Sequence, residues 1–448
     1  MPASLSNKDQ VTSLALPIVA IVGRPNVGKS TFVNRIAQAS EAIVHEARGV
    51  TRDRSYHRAD WNGKDFLLID TGGIETGSTD EFQTSIKTQA LMAAEEADAI
   101  VFLVDGRTGL LAEDETVARM LKRADRPVFL AVNKMDTPGR EDETYQFWNL
   151  GLGQPWPVSA THGHGTGDLL DEIAAVIPDV EPEVDEDLID VAIIGRPNAG
   201  KSSLLNRLAG TERAIVSEQA GTTRDAIDTV VSRGERSYRL IDTAGIRRAS
   251  KIEEDVEYYG FVRAMRAIDR AHVALLVIDS PLGLTDQDQR IARFAAERGT
   301  ALVVLLNKWD AMENPEAKDD LVQRVGEELG FVGYAPVLRM SALTGKGVER
   351  IFDVIDTVYS NYMRQIPTST LNKLLTELRE FGHTVTQRNK TLRLRYATQT
   401  RTAPPGFTFF ANHPQLVDNN FRRYLERRMR EAFDFTGTPI VLKFRSKD

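Results

Sequence analysis

The sequence predicts an α/β fold with two tandem P-loop modules, each a mostly parallel sheet flanked by helices, followed by a smaller α+β module. Three observations predict it. A glycine-rich loop occurs twice, as GRPNVGKS over residues 23–30 and GRPNAGKS over residues 195–202, and both match G-x-x-x-x-G-K-[ST]. Further motifs follow each loop in the same order: DTGG at Asp70 and DTAG at Asp242, NKMD at Asn133 and NKWD at Asn307, SAT at Ser159 and SAL at Ser341. The two P-loops and the two D-T-x-G motifs are each 172 residues apart, the N-K-x-D motifs 174 and the last pair 182. Third, the pattern changes after about Met363 to shorter, basic segments.

In chain order, residues 1–16 are polar, without the basic-then-apolar layout of a secretory signal, and read as a flexible tail. The first module spans 17–177. Its apolar run 18–22 is a buried strand feeding the P-loop, and Phe32, Val33 and Ile36 then recur at helical spacing. Strand-like runs follow at 66–69, 100–104 and 128–132, alternating with helical patterns, as βαβ units do. Residues 178–188 form an acidic, proline-bearing linker, read as extended and solvated. The second module, 189–364, repeats the plan with strands at 191–194, 238–241, 273–278 and 302–306, and a helix marked by Leu204, Leu205 and Leu208. Its later motifs drift apart, so it carries insertions, mostly after NKWD, where the polar stretch 313–320 is the natural place. Residues 365–448 read α-β-β-α-β: a helix over 371–381, strands over 391–396 and 407–411, a basic helix over 421–433 and a strand over 440–444.

The loop chemistry follows from the residue types. In Gly23-Arg24-Pro25-Asn26-Val27-Gly28-Lys29-Ser30 and Gly195-Arg196-Pro197-Asn198-Ala199-Gly200-Lys201-Ser202, the glycines let backbone N–H groups close around a phosphate chain. The next helix aims the positive end of its dipole at the same charge. Lys29 and Lys201 reach the β- and γ-phosphates, and Ser30 and Ser202 place hydroxyls on Mg²⁺. Such loops serve ATP and GTP alike, so the base is read elsewhere. In Asn133-Lys134-Met135-Asp136 and Asn307-Lys308-Trp309-Asp310, the Asp carboxylate accepts from guanine N1–H and the 2-amino group, a donor pair adenine lacks. The asparagines tie the loop to the base and the P-loop, while the lysines flank the ring. Ser159-Ala160 and Ser341-Ala342 close over guanine O6 through backbone N–H.

Asp70 and Asp242 end strands and hold Mg²⁺ through water. In Asp70-Thr71-Gly72-Gly73-Ile74 and Asp242-Thr243-Ala244-Gly245-Ile246, Gly73 and Gly245 offer an N–H to the γ-phosphate, which GTP has and GDP lacks. Thr51 and Thr223, at matched places between P-loop and D-x-x-G, are candidates to complete the Mg²⁺ shell.

Composition bounds the rest. The chain has 448 residues, 42% hydrophobic and 27% charged, and no apolar run long enough for a membrane span. It has no cysteine, which excludes disulfides, thiolate metal sites and cysteine nucleophiles. The net charge of −8 divides unevenly: residues 365–448 hold 15 Lys and Arg against 7 Asp and Glu, while residues 1–364 carry −16. A basic end on an acidic body reads either as a site for a polyanion or as a solvated face.

Two tandem GTPase modules followed by a small basic α+β domain resemble the EngA/Der family of bacterial ribosome-assembly GTPases, over about residues 17–447. The resemblance implies a KH-like C-terminal domain and a cytoplasmic protein that binds the large ribosomal subunit and its rRNA, as a monomer and with no DNA partner. Small GTPases place a Gln after D-x-x-G to orient the attacking water; here Ile74 and Ile246 stand there. In similar proteins potassium assists hydrolysis, which implies K⁺ at Asn26 and Asn198. A KH domain clamps RNA with a G-x-x-G loop, and the glycines here, Gly382, Gly406 and Gly437, form none. RNA contact then falls to Arg422, Arg423, Arg427, Arg428 and Arg430, or the domain is a packing partner. His162 and His164 are a weak metal candidate without a third ligand. Arg247 and Arg248 read as a relay to RNA or as solvated switch charges. The rival class is a scaffold that holds nucleotide without turnover. A tRNA-modification GTPase, with its C-terminal cysteine, and a membrane transporter match less well.

Overall fold

A computed structural model describes residues 16–41, 56–71, 90, 93, 97–137, 141–178, 188–210, 215–220, 227–241, 256–381, 386–387 and 390–446. The chain divides into two compact units, one of Ala15–Glu181 and one that holds Pro182–Asp448.

In the first unit, β1 (Ile18–Val22), β3 (Lys64–Asp70), β4 (Ala99–Asp105), β5 (Val128–Asn133) and β6 (Pro155–Pro157) run parallel. Only β2 (Tyr56–Trp61), paired to β3, is antiparallel, and the sheet order is β2-β3-β1-β4-β5-β6. Every residue of β1 and β4 is buried, as in a parallel sheet covered on both faces. Val19 and Ile21 share a core with Phe32, Val33 and Ile36 of α1 (Lys29–Glu41), the three residues whose spacing predicts the helix. Helices α2 (Ala112–Leu121) and α3 (Thr166–Val176) complete the layers.

The second unit repeats the plan. Its parallel strands are β7 (Leu188–Ile194), β10 (Arg236–Ile241), β11 (Val273–Asp279), β12 (Ala301–Asn307) and β13 (Val337–Arg339), with antiparallel β8 (Ile215–Ala220) and β9 (Ile227–Arg233) at one edge. Helix α4 (Lys201–Ala209) follows the P-loop, and α5 (Val256–Arg270) and α6 (Asp286–Arg298) flank the sheet. The polar insertion after NKWD builds a helix, α7 (Pro315–Glu328). Asn314 caps it by accepting from the Glu316 N–H at 2.8 Å, and Pro315 sits at its first position. Leu321 and Val325 bury one face, so the polar reading of 313–320 captures the helix's solvent side. The first copy has only a 3₁₀ segment, Glu141–Leu150, at this place.

Helix α8 (Ile351–Tyr362) leads into the C-terminal module: α9 (Thr368–Phe381), a two-residue hairpin of β14 (Thr386–Gln387) and β15 (Lys390–Thr391), then β16 (Leu394–Arg401), β17 (Gly406–Ala411), α10 (Asn419–Ala432) and β18 (Val441–Ser446). The α-β-β-α-β order is as expected apart from the added β14–β15 hairpin, but the strand predicted over 391–396 runs from Leu394. Its partner strand ends at Ala411, which pairs with Leu394, so residues before 394 leave this ladder, Lys390 and Thr391 joining the short hairpin with Gln387 and Thr386. The Asn412 side chain also holds this segment, accepting from the Arg393 N–H at 2.8 Å and donating to the Thr391 carbonyl at 2.8 Å.

This module docks on the second G domain. The Leu302 N–H donates to the Gly437 carbonyl at 2.8 Å, and the Gly437 N–H donates to the Tyr334 carbonyl at 2.7 Å. Asn361 donates to the Thr436 carbonyl at 3.1 Å, and the Arg430 guanidinium lies 4.7 Å from the Tyr334 ring centre. Gly437 has φ +78°, and a Cβ there would lie 2.2 Å from Val358 Cγ2, so only glycine permits this approach. No helix among the described residues is long and apolar enough to cross a membrane.

Candidate nucleotide sites

Each P-loop leaves the C-terminal end of a central strand, β1 or β7, where open α/β sheets bind ligands. The glycines are required by contact. A Cβ on Gly23 would meet the Leu103 carbonyl oxygen at 2.3 Å, and one on Gly195 the Val277 carbonyl oxygen at 2.4 Å. Gly28 and Gly200 have φ +99° and +98°, and a Cβ there would strike Asn133 Nδ2 at 2.4 Å or Asn307 Nδ2 at 2.2 Å. The loop and the N-K-x-D motif are therefore built against each other.

The asparagines explain that fit. Asn133 Nδ2 donates to the Val27 carbonyl at 2.7 Å, and its Oδ1 accepts from the Ala160 N–H at 2.9 Å. Asn307 makes the same pair with Ala199 at 2.7 Å and Ala342 at 2.9 Å. Three separate motifs thus meet at one buried side chain in each copy. The Ala160 and Ala342 N–H groups, expected at guanine O6, serve these asparagines here.

Lys29 is buried and donates from Nζ to the Gly23 and Arg24 carbonyls at 2.7 and 2.9 Å. Lys201 does the same to Gly195 and Arg196 at 2.8 and 2.5 Å. Each ammonium is held inside its loop by carbonyls, and burial pushes Lys201 down to about 8, partly offset by the Asp288 carboxylate. A phosphate chain in the loop supplies the counter-charge that favours the protonated lysine. Ser30 and Ser202 stand at the helix starts, and Asp70 is buried at the end of β3. A hydroxyl and a carboxylate are hard oxygen donors of the kind Mg²⁺ takes. The Thr71 hydroxyl donates to the Ile21 carbonyl at 2.6 Å, tying D-x-x-G to the strand before the P-loop. Thr51, Gly72, Gly73, Ile74, Thr223, Asp242, Thr243, Ala244, Gly245, Ile246, Arg247 and Arg248 lie outside the described residues.

Asn26 and Asn198 take left-handed backbone, φ +63° and +61°, which asparagine tolerates better than most residues. Lys134 Nζ donates to the Asn26 carbonyl at 2.7 Å, so the lysine expected to flank the base ties down this turn. Asp136 accepts from the Ser159 hydroxyl at 2.6 Å and pairs with Arg107 at 2.5 Å. The Ser159 hydrogen bond, with help from Arg107, holds its carboxyl below the usual range. Asp310 is exposed and makes no hydrogen bond or ion pair with the described residues.

Sequence reasoning passes over three supporting pairs that recur in both copies. Asp105 and Asp279, ending β4 and β11, each accept from the N-K-x-D lysine at 2.6 Å. Asp114 and Asp288 are fully buried on α2 and α6 and hold the P-loop Arg24 and Arg196 at 2.7 and 3.2 Å. Burial raises both of these carboxyls, opposed chiefly by hydrogen bonds and the arginine charge, or in Asp288 by Thr285 and then Arg196. Arg35 and Arg207 donate from Nε to the Ala160 and Ala342 carbonyls at 3.1 and 3.3 Å. The chain does carry a signal for them: each aspartate pair recurs at an offset of 174 and the arginines at 172, the offsets of the named motifs.

In the C-terminal module the five arginines divide. Arg430 is committed inward, to Glu426 at 2.9 Å, the Phe435 and Thr438 carbonyls at 3.1 and 3.0 Å, and the Tyr334 ring. Arg422 donates to the Leu442 carbonyl at 2.7 Å, and Arg427 and Arg428 face Glu431. Arg423 is exposed and has no such partner among the described residues. His162 and His164 have ring centres 6.2 Å apart, and the described residues hold no cluster of three metal-binding side chains.

Comparison with known proteins matches this geometry. Residues 18–134 and 190–308 match the model of the 50S ribosome-binding GTPase family, and residues 365–445 match the KH-domain-like C-terminal module of EngA bacterial GTPase enzymes. The chain is 48% identical over 430 residues to GTPase Der of Moorella thermoacetica, covering 96% of this chain and 98% of that protein. It is 47% identical over 440 residues to GTPase Der of Heliobacterium modesticaldum, covering 97% and 99%.

Proposed function

The chain belongs to the GTPase Der (EngA) family and is a GTP-hydrolysing enzyme with two guanine-nucleotide domains, and from this premise we propose that it is a two-site switch in assembly of the large ribosomal subunit. Domain limits of 17–177, 189–364 and 365–448 go with this reading, as do a cytoplasmic location and a monomeric state. The observation that carries it is the docking of a basic module directly onto the second G domain, through Gly437, Asn361 and Tyr334. A nucleotide-dependent change in that domain has a direct mechanical path to a polyanion-binding surface.

At each site the P-loop amides and Lys29 or Lys201 hold the phosphates, and Asp136 or Asp310 reads guanine. Ser30 and Asp70 in one site, and Ser202 and Asp242 in the other, with Thr51 and Thr223, would hold Mg²⁺, which would supply positive charge against the β- and γ-phosphates. With isoleucine after D-x-x-G, the chain has no side chain there to orient water, so turnover is slow. K⁺ beside Asn26 and Asn198 raises it, and an equal rate in Na⁺ would overturn that assignment. Backbone phosphates of rRNA meet the exposed arginines of α10, Arg423 first among them.

The test is co-sedimentation with large ribosomal subunits in GDP, in a non-hydrolysable GTP analogue and without nucleotide. Binding favoured by the analogue is expected. Equal binding in all three would remove nucleotide from recruitment, and no binding would remove the partner.

A further inference from the structure

We propose that Arg107 is an internal competitor for guanine at the first site: it occupies the base-reading carboxylate and must be displaced before a nucleotide binds. The inference rests on Asp136 as the guanine reader. Both oxygens of that carboxylate are engaged. Oδ1 accepts from the Ser159 hydroxyl at 2.6 Å and Oδ2 from Arg107 Nη2 at 2.5 Å. The Arg107 backbone is itself placed, because its N–H donates to Asp105 Oδ1 at 2.9 Å. The other oxygen of Asp105 holds Lys134 at 2.6 Å, and Lys134 flanks the base. One buried aspartate thus sets both the lysine beside the ring and the arginine across its reading edge.

The second copy lacks the device. Aligned on the aspartate that holds the N-K-x-D lysine, Arg107 corresponds to Pro281. Proline has no guanidinium, and it has no N–H either, so Asp279 Oδ1 is left buried without a hydrogen bond. Asp310 stands exposed with no partner among the described residues: the Ser341 hydroxyl accepts from the Thr344 N–H at 3.1 Å, as Ser159 does from the His162 N–H at 3.2 Å, but makes no hydrogen bond to it. Asp310 is therefore open to guanine from the start, while Asp136 must first release a cation.

Arg107 is two-thirds exposed, so displacing it costs no more than an exposed ion pair is worth, equivalent to about a two- to five-fold change in affinity. Guanine replaces an exposed guanidinium with two fixed N–H donors and keeps the carboxylate satisfied. A base without that donor pair leaves the arginine in place.

The experiment uses the full chain with Asp310→Asn, which stops the second site reading guanine, and titrates GDP. Arg107→Ala is expected to lower the dissociation constant about two- to five-fold. The gap between the proteins with and without the Arg107→Ala change is expected to narrow as salt screens the pair. An unchanged or weaker affinity would overturn the proposal and make Arg107 a ligand contact. The premise has its own control. In the chain that keeps Asp310, Asp136→Asn turns the first site's reading group into an amide, whose NH₂ suits the 2-oxo group of xanthine, so one of two GDP sites is lost and one xanthosine diphosphate site gained. In that background Arg107 faces no charge, and Arg107→Ala is expected to leave xanthosine diphosphate affinity unchanged. Loss of one GDP site without gain of a xanthosine diphosphate site would reject Asp136 as the reader; a normal swap with no Arg107 effect on GDP would reject the competitor alone.

Discussion

The two G domains share one sequence plan and the same order of five parallel strands, yet they differ at the residues proposed to read the base. In the first, Asp136 is clamped by Ser159 and Arg107; in the second, Asp310 is exposed and unpaired with any described residue. In the first, the segment after N-K-x-D is a 3₁₀ stretch; in the second, it is a capped four-turn helix. The phosphate ends are near copies, with lysine, asparagine and glycine contacts alike within a few tenths of an ångström. The P-loop frame thus tolerates little variation, because close contacts at its glycines fix where its backbone amides lie. The proposed base-reading end depends on side chains from three loops, which each copy can vary.

The largest expected effect tests whether both copies are engines. Lys29→Ala and Lys201→Ala are each expected to abolish most turnover at their own site, about 10²-fold or more, as when a positioned charge-stabilising donor is removed. Single-turnover assays with each variant measure this. A change that leaves the rate intact would identify that copy as a nucleotide-holding scaffold.

A smaller loss is expected from the buried aspartates. Asp114→Ala and Asp288→Ala each remove the partner of a P-loop arginine and the acceptor for the Leu111 or Thr285 N–H at the helix start, at a cost of about 2–4 kcal/mol in the affected unit. Urea unfolding monitored in each unit checks it. A cost confined to one copy would break the equivalence of the phosphate ends. Next, Gly437→Ala forces a methyl group against Val358 and is expected to weaken docking of the C-terminal module by about 1–3 kcal/mol. Hydrogen exchange at Leu302 and Gly437 reads it, and unchanged protection would mean that the side chains alone hold the interface.

The mildest prediction concerns pH. The free Lys201 ammonium titrates near 8, below its ordinary 10.5, because burial disfavours its charge. Bound phosphate favours the protonated form, so binding takes up a proton above pH 8. GTP affinity at the second site is therefore expected to be flat below pH 8 and to fall, at most about tenfold per unit, above it. A titration in an Asp136→Asn chain isolates that site; flat affinity to pH 9.5 would show that the lysine stays charged when free.

Most of the fold is legible in the sequence because it is local and repeated. β1 is found where its apolar run places it, and α1 rests on Phe32, Val33 and Ile36 as their spacing requires. The start of the strand before Tyr396 is misjudged from sequence because alternation reports which face a residue prefers, not where a partner strand ends. Helix α7 reads as a polar insertion because its two buried contacts, Leu321 and Val325, lie beyond or at the edge of the polar run.

The sequence by itself determined the duplication, the family and the candidate nucleotide residues, since the motifs that carry them recur at near-constant offsets along one chain. Only the tertiary structure decided that Asn133 joins three motifs, that Arg430 faces inward to Tyr334, and that Arg107 stands on Asp136. These pairings join residues from 29 to more than 100 positions apart, or turn an exposed-looking arginine into a part-buried tie. Spacing carries no signal for such contacts, because they are set by which strand ends and loops the sheet order brings side by side.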